Sequence, residues 1–568
     1  MAHFLKDTFQ HEDAKLCDKE DVMDIRKVSY ETDVLVLGSS AAGCGAAISA
    51  RRAGAEVLLL DKGRLESSGC LGGGNDHFMA VLDEVEHDSL QDMYDVFVTP
   101  TSGLSRTMVK RWYDAQRECI DVLEDSGIEL MRNPDGTYLR SLGFGQPGPW
   151  WIHINHGYTV KHKLAKYIKK LGVKVVNNVL VTHLIKDGDN IAGCAGFDVL
   201  KGDFVTIRCK TAVLCLGLTV SRVSNNSTHK PFNIWYSPYV TGSQILLPLE
   251  AGAGIVNLDI ADAGTLIPKS WGAPGMNGIN NMGGKELNAR GERFMFRYDP
   301  CGENCVRRNQ VMGTFNEMME GAGPPFVMDM THFSPEDARH LQYDLMPGDK
   351  ETYLDYCNAR GIDFTKEPLE VEISERILGG MVDCDDNQES SIHNCFVGCV
   401  TGTFSGAMCL GWTAGRSAAE RATQTDMPHL DEAKAEEICK ELFAPLQTTV
   451  DRSVSYTEFE DGLRQVMDYY VGYQRTEASL RQALKSFTVL ERFLPRIAVH
   501  NLRELMRMRE SLELFKVCRI YIQACMQRRE SGRALYRRAD YPNLDPSLNK
   551  CLITRLDGNG NPVFQWKD

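Results

Sequence analysis

Three small residues near the start of the chain have a spacing suited to holding phosphates. Gly38, Ser40 and Gly43 occupy the positions of a G-x-G-x-x-G turn, with serine replacing the middle glycine. The first glycine permits the tight turn, and the third permits close packing of a helix on a strand. Backbone N–H groups at the helix start then face a pyrophosphate, favoured by the helix dipole. Asp61 ends the next apolar run, where a carboxylate accepts hydrogen bonds from a ribose.

The elements that position these residues can be read from the surrounding pattern. Residues 33–37 alternate Val and Leu, as a buried parallel strand does. A helix rich in small residues follows the turn and ends near Gly54, and EVLLLDKG is the second strand. Strand, turn, helix and strand in this order predict a dinucleotide-binding βαβ unit. The alternative interpretation is a βαβ turn that holds no ligand.

Two later stretches favour FAD over NAD as the dinucleotide. Residues 210–219 (KTAVLCLGLT) form a predicted buried strand that ends in a glycine turn at Gly217. Residues 394–422 give a strand, a glycine turn and a small-residue helix. A nucleotide domain that is interrupted and resumes near residue 370 suits FAD, which lies extended along such a domain. A second convincing dinucleotide fingerprint is lacking, so NAD is not expected.

Composition and charge exclude several classes of function. With 568 residues, of which 43% are hydrophobic and 25% charged, the chain is expected to form several globular domains. A net charge of −14 argues against nucleic acid as a partner. No apolar run reaches the ~18–20 residues that span a bilayer, and the first 30 residues lack a signal-peptide core. These features predict a cytoplasmic protein without direct membrane insertion.

The 18 cysteines are scattered singly along the chain. The nearest pairs are Cys301/Cys305 and Cys395/Cys399, and no CxxC pair or cluster motif occurs. We therefore expect buried free thiols in a reducing, anaerobic setting and no metal site in this chain.

The predicted fold class is α/β, with a Rossmann-like FAD-binding domain interrupted by an α+β capping domain and followed by a C-terminal helical bundle. From about residue 430 the apolar residues recur at helical spacing, and DGNGNP near the end predicts a hairpin turn. The predicted segments are an N-terminal extension (1–29), a first FAD-binding segment (30–225), a capping domain (226–369), a second FAD-binding segment (370–425), and a helical domain with its tail (426–568).

The order of motifs resembles the fumarate reductase/succinate dehydrogenase flavoprotein family, and within it the adenylylsulfate (APS) reductase α subunits. The stretches that carry the resemblance span residues 31 to about 545: ETDVLVLGSSAAGCGAA, SSGCLGGG, WWIHINHG, IWYSPYVTGS, RRNQVMGTFNEMMEG, CFVGCVTGTFSG and RRESGRALYRRADYP. The resemblance implies an FAD-dependent oxidoreductase subunit that exchanges two electrons between a small substrate and an iron–sulfur partner. Because this chain has no cluster motif, the clusters are expected only on a ferredoxin-like partner subunit in a hetero-oligomer.

The resemblance also implies which residues contact FAD. Succinate dehydrogenases have a histidine for covalent attachment where this chain has Gly69, so FAD is expected to be non-covalent. Cys399 stands where related flavoproteins often have an acid near the ribityl chain. The implied cofactor residues are Gly38, Ser39, Ser40, Ala41, Ala42, Gly43, Asp61, Lys62, Ser68, Gly69, Gly72, Gly73, Gly74, Val181, Gly217, Gly398, Cys399, Ser405 and Gly406.

Three residues of the APS reductase pattern are retained in the predicted capping domain. Arg307 is permanently charged and is expected to stabilise negative charge at the substrate or the reduced flavin. Trp235 offers a flat apolar wall, and Tyr236 offers a hydroxyl. The alternatives are an interdomain salt bridge for the arginine and a core position for the aromatic residues.

Histidines in two segments are candidates for moving a proton. The resemblance places His153 and His156 near the flavin ring, and His77 follows the flavin-contacting loop with Asp76 beside it. A purely structural role is the alternative for each of these histidines.

The sequence departs from both substrate patterns of the family. Asn277 and Asn280 stand where dicarboxylate enzymes have a proton-relay acid and arginine, which argues against fumarate or succinate. Gly402 and Thr403 replace the histidine segment of APS reductases, so the substrate is expected to have diverged from APS. Three alternatives stay open: a genuine APS reductase, a reductase or dehydrogenase of a cyclic or unsaturated organic compound, and a non-catalytic FAD electron-transfer module.

Overall fold

The computed structural model describes residues 16–18, 25–143, 145–263, 266–272, 277–345, 351–533 and 535–567. Most of the predicted N-terminal extension, residues 1–29, lies outside the described residues. Within them, the predicted fold class is confirmed: an α/β nucleotide domain, a capping unit and a C-terminal helical region follow one another.

A central sheet carries the predicted phosphate turn. Six of its strands lie in the order Lys174–Val176, Val57–Leu60, Lys27–Leu37, Phe204–Leu214, Asn190–Asp198 and Val179–Asp187. The first four are parallel and the last two antiparallel. A seventh strand, Cys395–Val397, pairs in parallel with residues 212–214. The late segment of the nucleotide domain thus returns to the strand ends that border the turn.

Two helices cover the central sheet next to the turn. Helix Ala41–Arg52 follows the turn. Helix Phe404–Ala422 follows the late strand and packs against helix Ala41–Arg52. Both helices are built largely from small residues and are buried along most of their length. Their close packing fixes where the first helix begins.

A small antiparallel sheet lies beside the nucleotide domain. Strands His77–Met79, Glu129–Leu130 and Arg140–Ser141 each pair with Trp151–Asn155. The surrounding helices are Leu90–Phe97, Arg106–Asp125 and Val160–Lys170.

The capping unit has its own sheet and its own apolar core. Its antiparallel strands lie in the order Leu266–Pro268, Leu369–Ile373, Phe326–Asp329 and Lys285–Leu287. The helices around it are Asn277–Asn281, Arg307–Met319, Pro335–His340 and Glu351–Arg360. Phe294, Phe326 and Leu369 lie in its buried core.

The C-terminal region is helical and ends in a hairpin. Its helices are Glu432–Gln447, Tyr456–Tyr470, Glu477–Glu491 and Leu502–Gln527. Strands Cys551–Leu556 and Pro562–Lys567 form the hairpin, with its turn where the sequence predicted it. The hairpin pairs with Ile255–Val256 and so packs on its own chain.

Shorter elements complete the described fold. They are helix Ser243–Glu250 and the paired strands Leu16–Asp18 with Thr448–Val450, Ala261–Ala263 with Arg376–Leu378, Ile255–Val256 with Met381–Val382, and Gln474–Arg475 with Arg537–Arg538. Among the described residues, no helix is both long and apolar enough to cross a bilayer.

A fully buried carboxyl group lies in the core of the capping unit. Glu286 accepts hydrogen bonds from the Thr314 hydroxyl at 2.6 Å and the Gln310 amide at 3.3 Å. Burial, together with the nearby carboxylates of Glu303 and Glu317, outweighs these bonds and raises its pKa to about 8. The carboxyl is therefore neutral in the folded protein at pH 7.

We expect this carboxyl to make the protein less stable as the pH rises. The pKa of the Glu286 carboxyl is higher in the folded than in the unfolded chain. Its stabilising contribution to folding is therefore fully present below the ordinary pKa near 4.5 and is lost as the pH approaches 8. A difference of ~3.5 pKa units corresponds to about 5 kcal/mol. Glu286→Gln should remove this dependence, so its Tm relative to wild type should rise between pH 5 and pH 8. A constant Tm difference over that range would contradict the buried neutral carboxyl.

Candidate active site and cofactor cavity

The phosphate turn has the geometry that its glycines predict. Gly38 adopts φ of 93°, and a Cβ there would lie 2.3 Å from the Cys215 carbonyl oxygen. A Cβ on Gly43 would lie 1.9 Å from the Gly38 carbonyl oxygen. Ser40 caps the helix: its Oγ accepts from the Gly43 N–H at 3.3 Å and donates to the Cys215 carbonyl at 2.9 Å. The serine hydroxyl thus closes the turn while the helix N-terminus lies at the cavity.

The predicted ribose-binding acid is held firmly at the end of its strand. The Asp61 carboxylate accepts from the Ser39 N–H and hydroxyl, both at 2.7 Å, from the Gly63 N–H at 2.7 Å and from the Ser68 hydroxyl at 2.6 Å. Burial opposes its ionisation, but the hydrogen bonds from Ser68 and Ser39 outweigh burial and lower its pKa. Asp61 is therefore an ionised acceptor that also ties the turn to the second strand.

A long cavity of about 950 Å³ starts at this turn. Its size is at the upper end of typical ligand pockets, and its walls come from the turn, the capping unit and the helix Leu502–Gln527. Gly69 and Gly402 line the cavity and leave room for a ligand to approach the backbone: the nearest atom to a Cβ on Gly69 would be 3.7 Å away, and a Cβ on Gly402 would have no atom within 4 Å. An extended dinucleotide therefore fits the residues that line this cavity.

The predicted cofactor residues divide into two groups. Those that line the cavity are Gly38, Ser39, Ser40, Ala41, Asp61, Lys62, Ser68, Gly69, Gly74, Val181, Gly217 and Cys399. Those that the structure places outside its lining are Ala42, Gly43, Gly72, Gly73, Gly398, Ser405 and Gly406. In the second group, Ser405 follows the lining residue Phe404 and accepts a hydrogen bond from the buried Trp112 indole at 3.0 Å.

The capping unit contributes an aromatic and cationic cluster. The rings of Trp235 and Tyr236 lie 3.9 Å apart at 75°, and the Arg307 guanidinium lies 5.7 Å from the centre of the Trp235 ring. Arg307 Nη1 also donates to the Tyr236 hydroxyl at 3.4 Å. All three side chains line the cavity, so the structure brings these predicted residues together.

A buried acid that sequence reasoning missed positions this cluster. Glu375 is 2% exposed and accepts from the Trp235 N–H at 2.6 Å. Burial raises the pKa of its carboxyl, and the backbone N–H groups of Trp235 and Tyr236 oppose that rise. Glu375 lies far from Trp235 in sequence, so no local pattern signals the pairing.

The candidate histidines differ in their burial and in whether they line the cavity. His153 is mostly buried in the small sheet, and burial lowers its pKa to about 4. His156 is exposed, with φ of 51°, where the strand gives way to a helical turn. Neither belongs to the cavity lining, whereas His77 and Trp151 do.

Comparison with known proteins agrees with this geometry. A family model described as "FAD binding domain" matches residues 33–415, and one described as "Fumarate reductase flavoprotein C-term" matches residues 460–564. A CoM/CoB fumarate reductase chain from Methanothermobacter marburgensis is 24% identical, over 94% of this chain and 98% of that protein. The adenylylsulfate reductase structure from Archaeoglobus fulgidus superposes with a TM-score of 0.81 at 20% identity, covering 98% of both chains. An E. coli quinol fumarate reductase structure gives 0.81 at 19% identity, covering 95% and 97%.

A buried lysine lies directly behind the phosphate turn. Lys161 is 0% exposed; its ammonium donates to the Ser39 carbonyl and lies 3.6 Å from the Cys44 sulfur. No carboxylate of the described residues forms an ion pair with it. Donation to the Ser39 carbonyl polarises the peptide whose N–H belongs to Ser40 at the helix start, which strengthens that donor.

We expect Lys161→Met to weaken FAD binding about tenfold, the loss of ~1.4 kcal/mol, while leaving the apoprotein at least as stable. The reason is that methionine keeps the buried volume but removes the positive charge behind the pyrophosphate site and its desolvation cost. Titration of apoprotein with FAD by flavin fluorescence measures the affinity, and the apoprotein Tm reports folding. Lys166→Met, on an exposed position of the same helix, is the matched control. Equal FAD affinity in the two variants would contradict this role.

Proposed function

We propose a substrate class and an electron partner for this chain, which belongs to the FAD-binding flavoprotein family of fumarate reductases and succinate dehydrogenases. The predicted FAD cofactor and the predicted FAD-dependent oxidoreductase activity are confirmed by the family match over residues 33–415. The substrate, the residues that contact it and the partner are the proposals that follow.

The substrate that the site suits best is a small, unsaturated organic compound with a ring and a single anionic group. The observation that carries this proposal is the composition of the capping side of the cavity. Among the described lining residues, Arg307 is the permanently charged cation on this side, and it lies against the aromatic rings of Trp235 and Tyr236. Trp151 adds a further aromatic surface from the small sheet.

This arrangement argues against the two substrate types found among the relatives. A dicarboxylate needs cationic partners for both carboxylates, and APS needs contacts for a phosphate and a sulfate. A single guanidinium against flat rings suits one carboxylate on a conjugated ring system instead. The bound FAD supplies the two-electron chemistry, and this chain's residues bind, orient and shield the substrate.

We expect reduced holoenzyme to be reoxidised by cinnamate or 4-vinylphenol at least 100-fold faster than by fumarate or APS. The flavin is reduced photochemically without oxygen, and its absorbance is followed after rapid mixing with each compound. Arg307→Leu should weaken cinnamate binding ~10- to 100-fold, because a charge-assisted hydrogen bond contributes about 1.5–3 kcal/mol. It should leave the neutral 4-vinylphenol within threefold of wild type.

Arg308→Leu is the control for this experiment, because the Arg308 guanidinium donates to the Arg533 carbonyl rather than facing the aromatic cluster. If fumarate or APS reoxidises the reduced flavin faster than the other compounds, the substrate proposal is wrong. Flavin that reacts with none of these compounds but exchanges electrons with redox proteins would favour the non-catalytic electron-transfer module.

We further propose that electrons pass to or from a ferredoxin-like iron–sulfur subunit in a hetero-oligomer. Within the portion of the chain that the structure describes, no group of three or more potential metal ligands occurs, and the described cysteines are free thiols. We therefore assign the iron–sulfur relay of this proposal to the partner subunit. Free thiols also support a reducing, cytoplasmic location.

We expect acid precipitation of the natively purified protein to release its flavin into the supernatant. The reason is that Gly69, which lines the cavity in the flavin loop, offers no side chain for covalent attachment. Before precipitation, the absorbance spectrum should show a broad iron–sulfur shoulder that belongs to a second polypeptide. Flavin retained in the pellet would contradict non-covalent FAD, and purification without that shoulder would contradict the partner.

A further inference from the structure

We propose that His77 is the proton donor to the substrate, with Asp76 and Trp151 as the residues that position it. This inference rests on the proposed reduction of an unsaturated compound and names the group that completes it. It follows from the placement of three side chains in the small sheet, two of which line the cavity.

The first observation is that the His77 ring is fixed in orientation. Strand His77–Met79 pairs with Trp151–Asn155, which brings the His77 ring onto the Trp151 indole. The ring centres are 3.9 Å apart and the planes differ by 5°, so the two rings are stacked. Both rings line the cavity. A ring held this way presents its edge in one direction only.

The second observation is that one ring nitrogen is already bound to a buried carboxylate. His77 Nδ1 lies 2.5 Å from Oδ1 of Asp76, which is 6% exposed. This contact places the proton of the neutral ring on Nδ1. No residue of the described chain forms a hydrogen bond with Nε2, so that nitrogen is left for a ligand in the cavity.

The other groups near the capping side do not suit this role. His153, directly opposite His77 on the neighbouring strand, is kept neutral by a pKa lowered to about 4 and does not line the cavity. Arg307 retains its proton at any ordinary pH. The Tyr236 hydroxyl accepts a hydrogen bond from that guanidinium.

The proposed step balances in atoms and electrons. Reduction of a C=C bond breaks its π bond and forms two C–H bonds, which requires two electrons and two protons. FAD, if bound and reduced, would supply the two electrons and one proton, and the His77 ring, protonated at both nitrogens, would supply the other proton from Nε2. The Nδ1 proton stays on the ring, hydrogen-bonded to the Asp76 carboxylate, and Nε2 is then reprotonated by water. In the oxidative direction, Nε2 accepts the proton instead.

The kinetic test compares three variants of the FAD-loaded protein, with cinnamate as the oxidant. We expect His77→Asn to slow reoxidation of the reduced protein at least 100-fold, in the range of general acid catalysis. Its FAD content and its photochemical reduction should match wild type. His162→Asn, at an exposed position on the helix Val160–Lys170, should stay within threefold of wild type. A His77→Asn rate within threefold of wild type, or a large loss with His153→Asn alone, would overturn the proposal.

A second measurement needs no substrate and separates this inference from the proposed function. Side-chain ¹⁵N NMR of histidine-labelled holoprotein, at alkaline pH where the ring is neutral, identifies His77 as the signal missing from His77→Asn. An Nδ1–H tautomer in the wild type that is lost in Asp76→Asn would support the His77–Asp76 dyad. An Nε2–H tautomer in the wild type would overturn it. If no unsaturated compound reoxidises wild type, the substrate class fails while this measurement still decides the dyad.

Discussion

The close approach of two helices over the central sheet is the constraint on which the cofactor cavity depends. A Cβ on Gly411 would lie 2.1 Å from the Ala42 carbonyl oxygen, and one on Gly45 would lie 2.2 Å from the Met408 carbonyl oxygen. The Ser49 hydroxyl donates to the Trp412 carbonyl at 2.6 Å across the same interface. These backbone contacts leave no room for larger side chains, so two segments more than 350 residues apart fix one helix start.

With that helix start fixed, buried polar groups set the local geometry of the site. Asp61, Lys161 and Glu375 are each buried, and each forms hydrogen bonds with backbone groups of a segment that borders the cavity. A buried polar group that loses its partner costs about 1–3 kcal/mol, and more when it is charged. Each of these side chains therefore holds its segment in one position, and a ligand meets walls that are already formed.

The sequence predicted the nucleotide half of the site better than the substrate half, for a physical reason. The turn at Gly38–Gly43 is dictated by local backbone requirements, which leave a local pattern. The contribution of Glu375 to the capping side depends on a contact between distant segments. His77 was recognisable as a titratable group near the flavin loop, but its stacking on Trp151 depends on strand pairing that no local pattern reveals.

Charge is distributed unequally along the cavity, and this inequality bears on the choice of substrate. At the end near Asp61, Glu510 lies 2.6 Å from the Lys62 ammonium and 3.1 Å from the Arg222 guanidinium, and Arg507 also pairs with it. Burial opposes its ionisation, but these three cations outweigh burial and lower its pKa to about 2.

Lys62 and Arg507 line the cavity at this end and share Glu510, whereas Arg222 does not line the cavity and also pairs with Glu460 at 3.1 Å. The capping end differs, because among its described lining residues one guanidinium, that of Arg307, lies against aromatic rings. A doubly charged substrate would find much of its charge uncompensated at this apolar end, and desolvating unpaired charge is costly. This end of the cavity is therefore consistent with the proposed substrate, which carries one anionic group.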